Sequence, residues 1–347
     1  MKILQDLSIT QLNELMLSLG EKPFRAKQIF RALQSGRKIS QITDISNALR
    51  EKLLKEYVDE PIKVIKKLVS KDGTEKYLFA LYDGNVIEGV FMKNKYGNTQ
   101  CISTQVGCRM GCKFCASTIG GLVRNLTSGE MLATVAVVNN LSGGTLQKRS
   151  VTNIVLMGSG EPFDNYENVI KFLKLVSCAD GLNVSLRNIS LSTCGLVPEM
   201  LKFSNENLPV NLTVSLHNPF DDKRAELMPI SKAYKISEIL SACDVYFEKT
   251  GRRFIFEYSL VKGVNDTKEC VLELIKLLKK RPCHVNVIRL NEIKESNLKK
   301  TDDKSAYKFC EELVKGGLSA TVRRLNGVDI DGACGQLRRS YIEGDNL

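Results

Sequence analysis

Residues 101–118 read CISTQVGCRMGCKFCAST. Four cysteines fall within these eighteen residues: Cys108, Cys112 and Cys115 are spaced C-x3-C-x2-C, and Cys101 stands seven residues upstream. The segment QCISTQV (100–106) reads as a short apolar strand, so the thiols occupy the loop that follows it. Working outward, similar strands recur at 152–158, 187–193, 210–216, 254–260 and 284–290, with 319–324 as a further candidate. Helical patterns fill the gaps, as at 128–141, 165–177, 235–249 and 267–280. Regular alternation of strand and helix implies a parallel sheet. Six such units predict an α/β fold, a partial (β/α)6 barrel, with its chemistry at the C-terminal ends of the strands. The cysteine cluster lies at the first of those ends.

Upstream, residues 1–60 read as helical. The run LNELMLSLG (12–20) carries an apolar stripe closed by Gly20. The next stretch, 21–40, sets Lys22, Arg25, Lys27, Arg31, Arg37 and Lys38 around Phe24, Ile29, Phe30 and Leu33, with Glu21 as the neighbouring acid. That bias points to a phosphate-contacting surface; a solvated helix face is the plainer alternative. YLFALY (77–82) and NVIEGVFM (85–92) flank Asp83-Gly84, a hairpin signal. The expected organisation is a helical, basic accessory domain over 1–72, a β-hairpin linker over 73–98, the barrel over 99–325, and a C-terminal segment over 326–347.

Composition narrows the class. Of 347 residues, 43% are hydrophobic and 26% charged, ordinary values for a globular chain with a full core. No run approaches a membrane span. The N-terminus breaks its apolar residues with polar ones, unlike a secretory leader, so a cytoplasmic location and no membrane partner are expected. Eleven cysteines in so long a chain do not make a disulfide scaffold. Cys178, Cys243 and Cys310 sit in apolar contexts and read as core residues. The net charge of +11 suggests a polyanionic partner.

What the clustered thiols bind has three answers. A structural zinc takes four ligands, usually as two pairs, yet there is no second C-x2-C and the chain has two histidines. Three thiolates on one loop suit a [4Fe–4S] cluster with one iron left open for a substrate. Chance proximity is the third.

The spacing C-x3-C-x2-C, with Phe114 before the last cysteine, resembles the radical S-adenosylmethionine superfamily. MGSGEP (157–162), SLSTCG (190–195), VSLH (214–217), VIRLN (287–291) and IDGACGQLRR (330–339) narrow the resemblance to the adenosine-C2 RNA methyltransferases of the RlmN/Cfr group, RlmN branch. It spans nearly the whole chain. Ser159 departs from it, standing where relatives carry an apolar residue. The resemblance implies that Cys108, Cys112 and Cys115 bind the cluster. It implies that Gly160 and Glu161 receive the methionine amino group, and that Ser192, Ser215, Leu216, His217 and Asn291 line the cofactor pocket.

It further implies two cofactor molecules per turnover. One methylates Cys334; the other yields a 5′-deoxyadenosyl radical that takes hydrogen from that methyl. The carbon radical adds to adenine C2; loss of the C2 proton and of an electron follows, with Glu88 as the implied proton acceptor. Cys101 then attacks the sulfur of Cys334, releasing product and leaving a transient disulfide. Thiolate attack at sulfur has ample precedent. The implied substrates are an adenosine in the peptidyl-transferase loop of 23S rRNA and the adenosine 3′ to the anticodon in tRNAs, splayed out to reach a barrel mouth. Arg323, Arg324, Arg338 and Arg339 fit such a partner. An electron donor such as flavodoxin and a monomeric state complete the expectation. The competing readings are C8 methylation of the same rRNA adenosine, a metal-stabilised RNA-binding protein without activity, and a radical enzyme acting on protein.

Overall fold

The computed structural model describes residues 1–293 and 295–330. Three helices open the chain: α1 (Ile9–Ser18), α2 (Phe24–Gln34) and α3 (Asn47–Glu56). The Ser8 hydroxyl accepts from the Gln11 N–H, and the Gln11 side chain returns a bond to Ser8, so α1 starts on a capping box. A three-stranded antiparallel meander follows: β1 (Ile62–Val69), β2 (Glu75–Leu81) and β3 (Val86–Met92). The expected hairpin is therefore its second half. Its first strand, β1, lies within the stretch assigned to the helical domain. Lys63, Lys66 and Lys67 interrupt its apolar residues because β1 is an edge strand, where lysine discourages further pairing.

The barrel strands are β4 (Thr99–Ile102), β7 (Asn153–Leu156), β8 (Ile189–Thr193), β9 (Asn211–Ser215), β10 (Phe254–Leu260), β11 (Cys283–Arg289) and β12 (Ala320–Val322). They pair in parallel, each with the next. The meander joins through β3 to β4, giving one ten-stranded sheet. The predicted strand over 100–106 is broken. Its second half, β5 (Gln105–Gly107), leaves the barrel and pairs with β6 (Leu122–Asn125) as a separate ribbon. The cysteine loop hangs between β5 and β6.

Helices α4 (Ser128–Leu141), α5 (Tyr166–Val176), α6 (Val197–Asn205), α7 (Asp221–Leu227), α8 (Ile236–Thr250), α9 (Lys268–Leu278) and α10 (Asp303–Lys315) fill the connections. The alternation of burial along β8 and β11 shows the division of faces: Ile189, Leu191, Val285 and Val287 are buried, while Ser190, Ser192, Asn286 and Ile288 are only partly covered.

One hydrophobic core runs through the N-terminal helices and the barrel together. Two polar contacts fix that junction. Asp6 accepts from the Ser128 hydroxyl at 2.7 Å and the Gly129 N–H at 2.6 Å, capping α4. Gln34, at 1% exposure, donates to the Leu175 carbonyl at 3.0 Å and accepts from the Leu182 N–H at 2.9 Å. Gly181 has no room for a Cβ, which would stand 2.5 Å from the Gln34 amide. Gln34→Leu leaves two buried backbone groups without partners, at about 1–3 kcal/mol each. We expect a stability loss of about 2–6 kcal/mol, read as a lower urea midpoint; an unchanged midpoint refutes this account of the junction.

Candidate active site

A cavity of about 810 Å³ opens at the strand ends. Its wall includes Cys108, Cys112 and Cys115, Cys101, Gly160 and Glu161, and Ser192, Ser215, His217 and Asn291. Ten of the thirteen expected site residues thus meet in one space. Leu216 does not: its side chain is in the core, and its backbone carries the contacts, the N–H donating to the Glu257 carbonyl at 3.0 Å. Glu88 is not part of the wall, although it shares the β3 face of Val90 and Met92, which are, and Cys334 lies outside the described residues.

The cysteine loop is built of turns, held by the Thr118 hydroxyl, which donates to the Cys115 carbonyl at 2.9 Å, and by Arg109, whose Nε donates to Asp164 at 3.0 Å. Gly107 (φ 79°) and Gly111 (φ 72°) take left-handed backbone, and a Cβ on Gly107 would lie 1.9 Å from the Gly121 carbonyl oxygen. The Lys113 N–H donates to the Leu227 carbonyl at 2.9 Å, tying the loop to α7. Burial pushes the Cys108 thiol up to about 12 and raises Cys112 and Cys115 as well; the thiols also raise one another. Such groups stay protonated at neutral pH unless a cation is bound, and a metal bound by a thiol deprotonates it outright. The donor set, three soft thiols on one loop, suits iron–sulfur ligation. Among the described residues, no three His, Cys, Asp or Glu side chains converge on a single-ion site.

Glu161 is buried rather than in an exposed loop. Its carboxylate accepts from the Cys194 N–H at 2.8 Å and the Phe163 N–H at 3.0 Å, and burial raises its pKa despite these bonds. Gly160 (φ 108°) permits the turn, with a Cβ there falling 2.7 Å from Thr104 and Gln105. Ser159 is buried, its N–H donating to the Ser103 hydroxyl at 3.0 Å and its own hydroxyl to the Gly107 carbonyl at 3.3 Å. A hydroxyl at this departure from the family pattern ties the turn to the cysteine loop.

Cys101 sits on β4, in register with Val90 of β3 and Val155 of β7. Burial lifts its thiol to about 11; Arg323 opposes the shift, and Glu88 and Glu257 add to it. Glu88 is buried and pairs at 3.1 Å with Lys76, which is fully buried. Arg323 turns inward, donating to Glu257 at 3.2 Å, so it belongs to the cavity rather than to a free basic surface. The basic helix is likewise partly neutralised: Lys27 pairs with Asp180 at 2.6 Å, Lys38 with Glu60 at 2.8 Å, and Arg37 with Asp44 at 3.8 Å. Arg338 and Arg339 lie outside the described residues.

Sequence reading missed Lys76, Arg224, Glu257 and Cys194 as parts of the site. Lys76 had one signal: a lysine two residues before Leu78 in a strand of otherwise apolar character.

Three comparisons bear on this arrangement. Residues 102–278 match the radical SAM superfamily, and residues 3–58 match the ribosomal RNA large subunit methyltransferase N-terminal domain. The chain is 51% identical over 350 residues to a Clostridium perfringens (strain SM101 / Type A) protein described as "Probable dual-specificity RNA methyltransferase RlmN", covering 100% of this chain and 99% of that one. A protein of the same description from Lachnoclostridium phytofermentans is 50% identical, covering 97% and 95%. The crystal structure of a radical SAM methyltransferase from Sphaerobacter thermophilus superposes with a TM-score of 0.92 at 39% identity, covering 97% of this chain and 99% of that one. The chain belongs to the radical SAM superfamily and, within it, to the RlmN family of RNA methyltransferases.

Family membership implies a [4Fe–4S] cluster and S-adenosylmethionine. No helix of the described residues is long and apolar enough to cross a membrane.

His217 generates a prediction of its own. Its backbone is left-handed (φ 54°), a strained state for a non-glycine. Its Nδ1 accepts from the Ser259 N–H at 2.9 Å, which puts the proton of the neutral ring on Nε2. Phe114 meets the ring edge-on, centroids 4.7 Å apart. Burial, helped by Arg224, depresses its pKa from 6.5 to about 3. Between those values the unfolded chain binds a proton that the folded chain does not. The contribution is therefore full above about pH 6.5 and is lost as pH falls toward about 3. We expect the His217 ring resonances of the cluster-free protein to stay fixed from about pH 8 to about pH 5. His217→Asn should lose less stability than the wild type over the acid half of that range. A His217 resonance that titrates near pH 6.5 contradicts the assignment.

Proposed function

We propose that this protein methylates C2 of one adenosine in the peptidyl-transferase loop of 23S rRNA and of the adenosine 3′ to the anticodon in tRNAs. The observation that carries the reading is the shared cavity: three loop thiols, a separate thiol on β4, and polar groups at successive strand ends face one space.

Cys108, Cys112 and Cys115 would hold the cluster, leaving one iron open. When bound, this group supplies the electron that cleaves S-adenosylmethionine to a 5′-deoxyadenosyl radical. Gly160 and Glu161 would take the methionine amino group. Glu161 suits that task because, among the described residues, the groups bonded to it are neutral donors, the Cys194 and Phe163 N–H groups and the Thr193 and Cys194 side chains, so its charge has no cation of its own. Ser192, Ser215, Asn291 and the Nε2–H of His217 offer hydrogen bonds along the rest of the wall. Leu216 would contribute through its backbone.

Cys334 would carry the methyl group, with two cofactor molecules used per turnover. Cys101 would resolve the protein–RNA bond by attack on the Cys334 sulfur. Its thiol is protonated at rest, so attack requires loss of that proton. Arg323 favours the thiolate electrostatically. Glu88 would act as the proton acceptor, its charge held in place by Lys76. A flavodoxin-type donor, a monomeric state and a cytoplasmic setting fit the same reading.

The test is an anaerobic product assay with reconstituted protein, S-adenosylmethionine, reductant and protein-free 23S rRNA, followed by digestion and mass spectrometry. We expect 2-methyladenosine, abolished by Cys334→Ala. Cys101→Ala should instead accumulate covalent protein–RNA adduct. Appearance of 8-methyladenosine overturns the C2 assignment, and no methylated adenosine in rRNA or tRNA overturns the reading as a whole.

A further inference from the structure

Arg224, on α7, is fully buried, and among the described residues it pairs with no carboxylate. Nε donates to the Leu216 carbonyl at 3.0 Å, and Nη1 to the Ser231 hydroxyl at 2.7 Å. Nη2 donates to the Cys194 carbonyl at 2.7 Å and the Ser215 carbonyl at 2.8 Å. The guanidinium thus clamps the C-terminal ends of β8 and β9, but only through neutral acceptors. A buried cation without an anionic partner is costly, and arginine cannot escape the cost by losing its proton.

The charged and titratable groups that act on it electrostatically lie on the cysteine-loop side of the cavity and at its edge. They are the thiols of Cys194 and Cys112, with Asp221 and the ring of His217 as the others. Asp221 is exposed, and its Oδ1 accepts from the Ile236 N–H at 2.7 Å. The Lys113–Leu227 bond fastens the cysteine loop to the helix that carries Arg224. Gly195 is closely packed beside it: a Cβ there would stand 2.7 Å from Ile239 of α8 and 3.6 Å from the guanidinium.

We propose that Arg224 is the fixed counter-charge of the cysteine-bound cluster, positioned to stabilise its reduced form. The inference rests on the reading that Cys108, Cys112 and Cys115 hold that cluster. A cluster on three thiolates becomes more negative when it takes up an electron. A cation held nearby in a low-dielectric interior stabilises the reduced state more than the oxidised one, and so raises the potential.

The experiment compares wild type, Arg224→Gln, Arg224→Lys, Ser231→Asp and Ser231→Asn. Each is reconstituted anaerobically, assayed for iron and sulfide, and titrated with dithionite while the reduced cluster is followed by electron paramagnetic resonance. Arg224→Gln removes the charge. Ser231→Asp leaves the guanidinium in place and neutralises it at Nη1. Both should lower the reduced-to-oxidised ratio at fixed potential about tenfold, a shift of about 59 mV for one electron. Arg224→Lys and Ser231→Asn should stay near wild type. If Arg224→Gln does not fold, Ser231→Asp decides. Full iron content with wild-type potentials in the charge-altering variants overturns the proposal. A wild-type chain that assembles no four-iron cluster overturns the cluster reading, and the proposal with it.

Discussion

Strand β4 is four residues long, and the rest of the site depends on how it ends. It pairs antiparallel with β3 on one side and parallel with β7 on the other, so it joins the meander to the barrel. Beyond Ile102 it stops because its backbone is captured by the 157–161 turn. The Ile102 carbonyl accepts from the Gly158 N–H at 3.0 Å, and the Ser159 carbonyl accepts from the Thr104 and Gln105 N–H groups at 2.8 and 3.1 Å. The Ser103 hydroxyl donates to the Glu88 carbonyl at 2.9 Å, adding β3 to the same knot. A Cβ on Gly158 would fall 2.7 Å from the Ile102 carbonyl oxygen, so only glycine admits this approach. One junction therefore sets the position of Cys101, the departure of the cysteine loop, and the placing of Glu161.

This junction also marks where sequence patterns stopped being informative. The helix over 128–141 was legible to the residue because Thr127 and Glu130 form a capping box around it. The alternation of strands and helices implied the parallel order for a different reason: apolar periodicity reports burial on one face. The break in the strand over 100–106 left no such trace. QCISTQV is uniformly strand-like, and the interruption is imposed by bonds from residues more than fifty positions away. The cysteine spacing and the strand-end motifs were legible because they are local. Lys76 with Glu88, and Arg323 with Glu257, were not, because each pair is assembled across separate strands. The partial neutralisation of the basic stretch was hidden for the same reason: the acids that pair with Lys27, Arg37 and Lys38, namely Asp180, Asp44 and Glu60, come from other segments.

Buried charge is distributed in this barrel by a consistent rule. On the Cys101 side, each buried carboxylate has its own cation, Glu88 with Lys76 and Glu257 with Arg323. Removing one partner of such a pair strands the other, so these pairs specify the packing more than they stabilise it. On the cysteine-loop side Arg109 pairs with Asp164, but Glu161 and Arg224 do not pair with each other. Glu161 is held by neutral donors, the Cys194 and Phe163 N–H groups and the Thr193 and Cys194 side chains, and Arg224 by carbonyls and a hydroxyl. The two meet at a single residue, since Glu161 accepts from the Cys194 N–H and Arg224 donates to the Cys194 carbonyl. Backbone groups thus stand between an acid and a base that would otherwise cancel. Kept apart, the acid remains able to receive an ammonium and the base to face an anion. A direct Glu161–Arg224 ion pair would be cheaper to bury, and it would leave the cavity with neither.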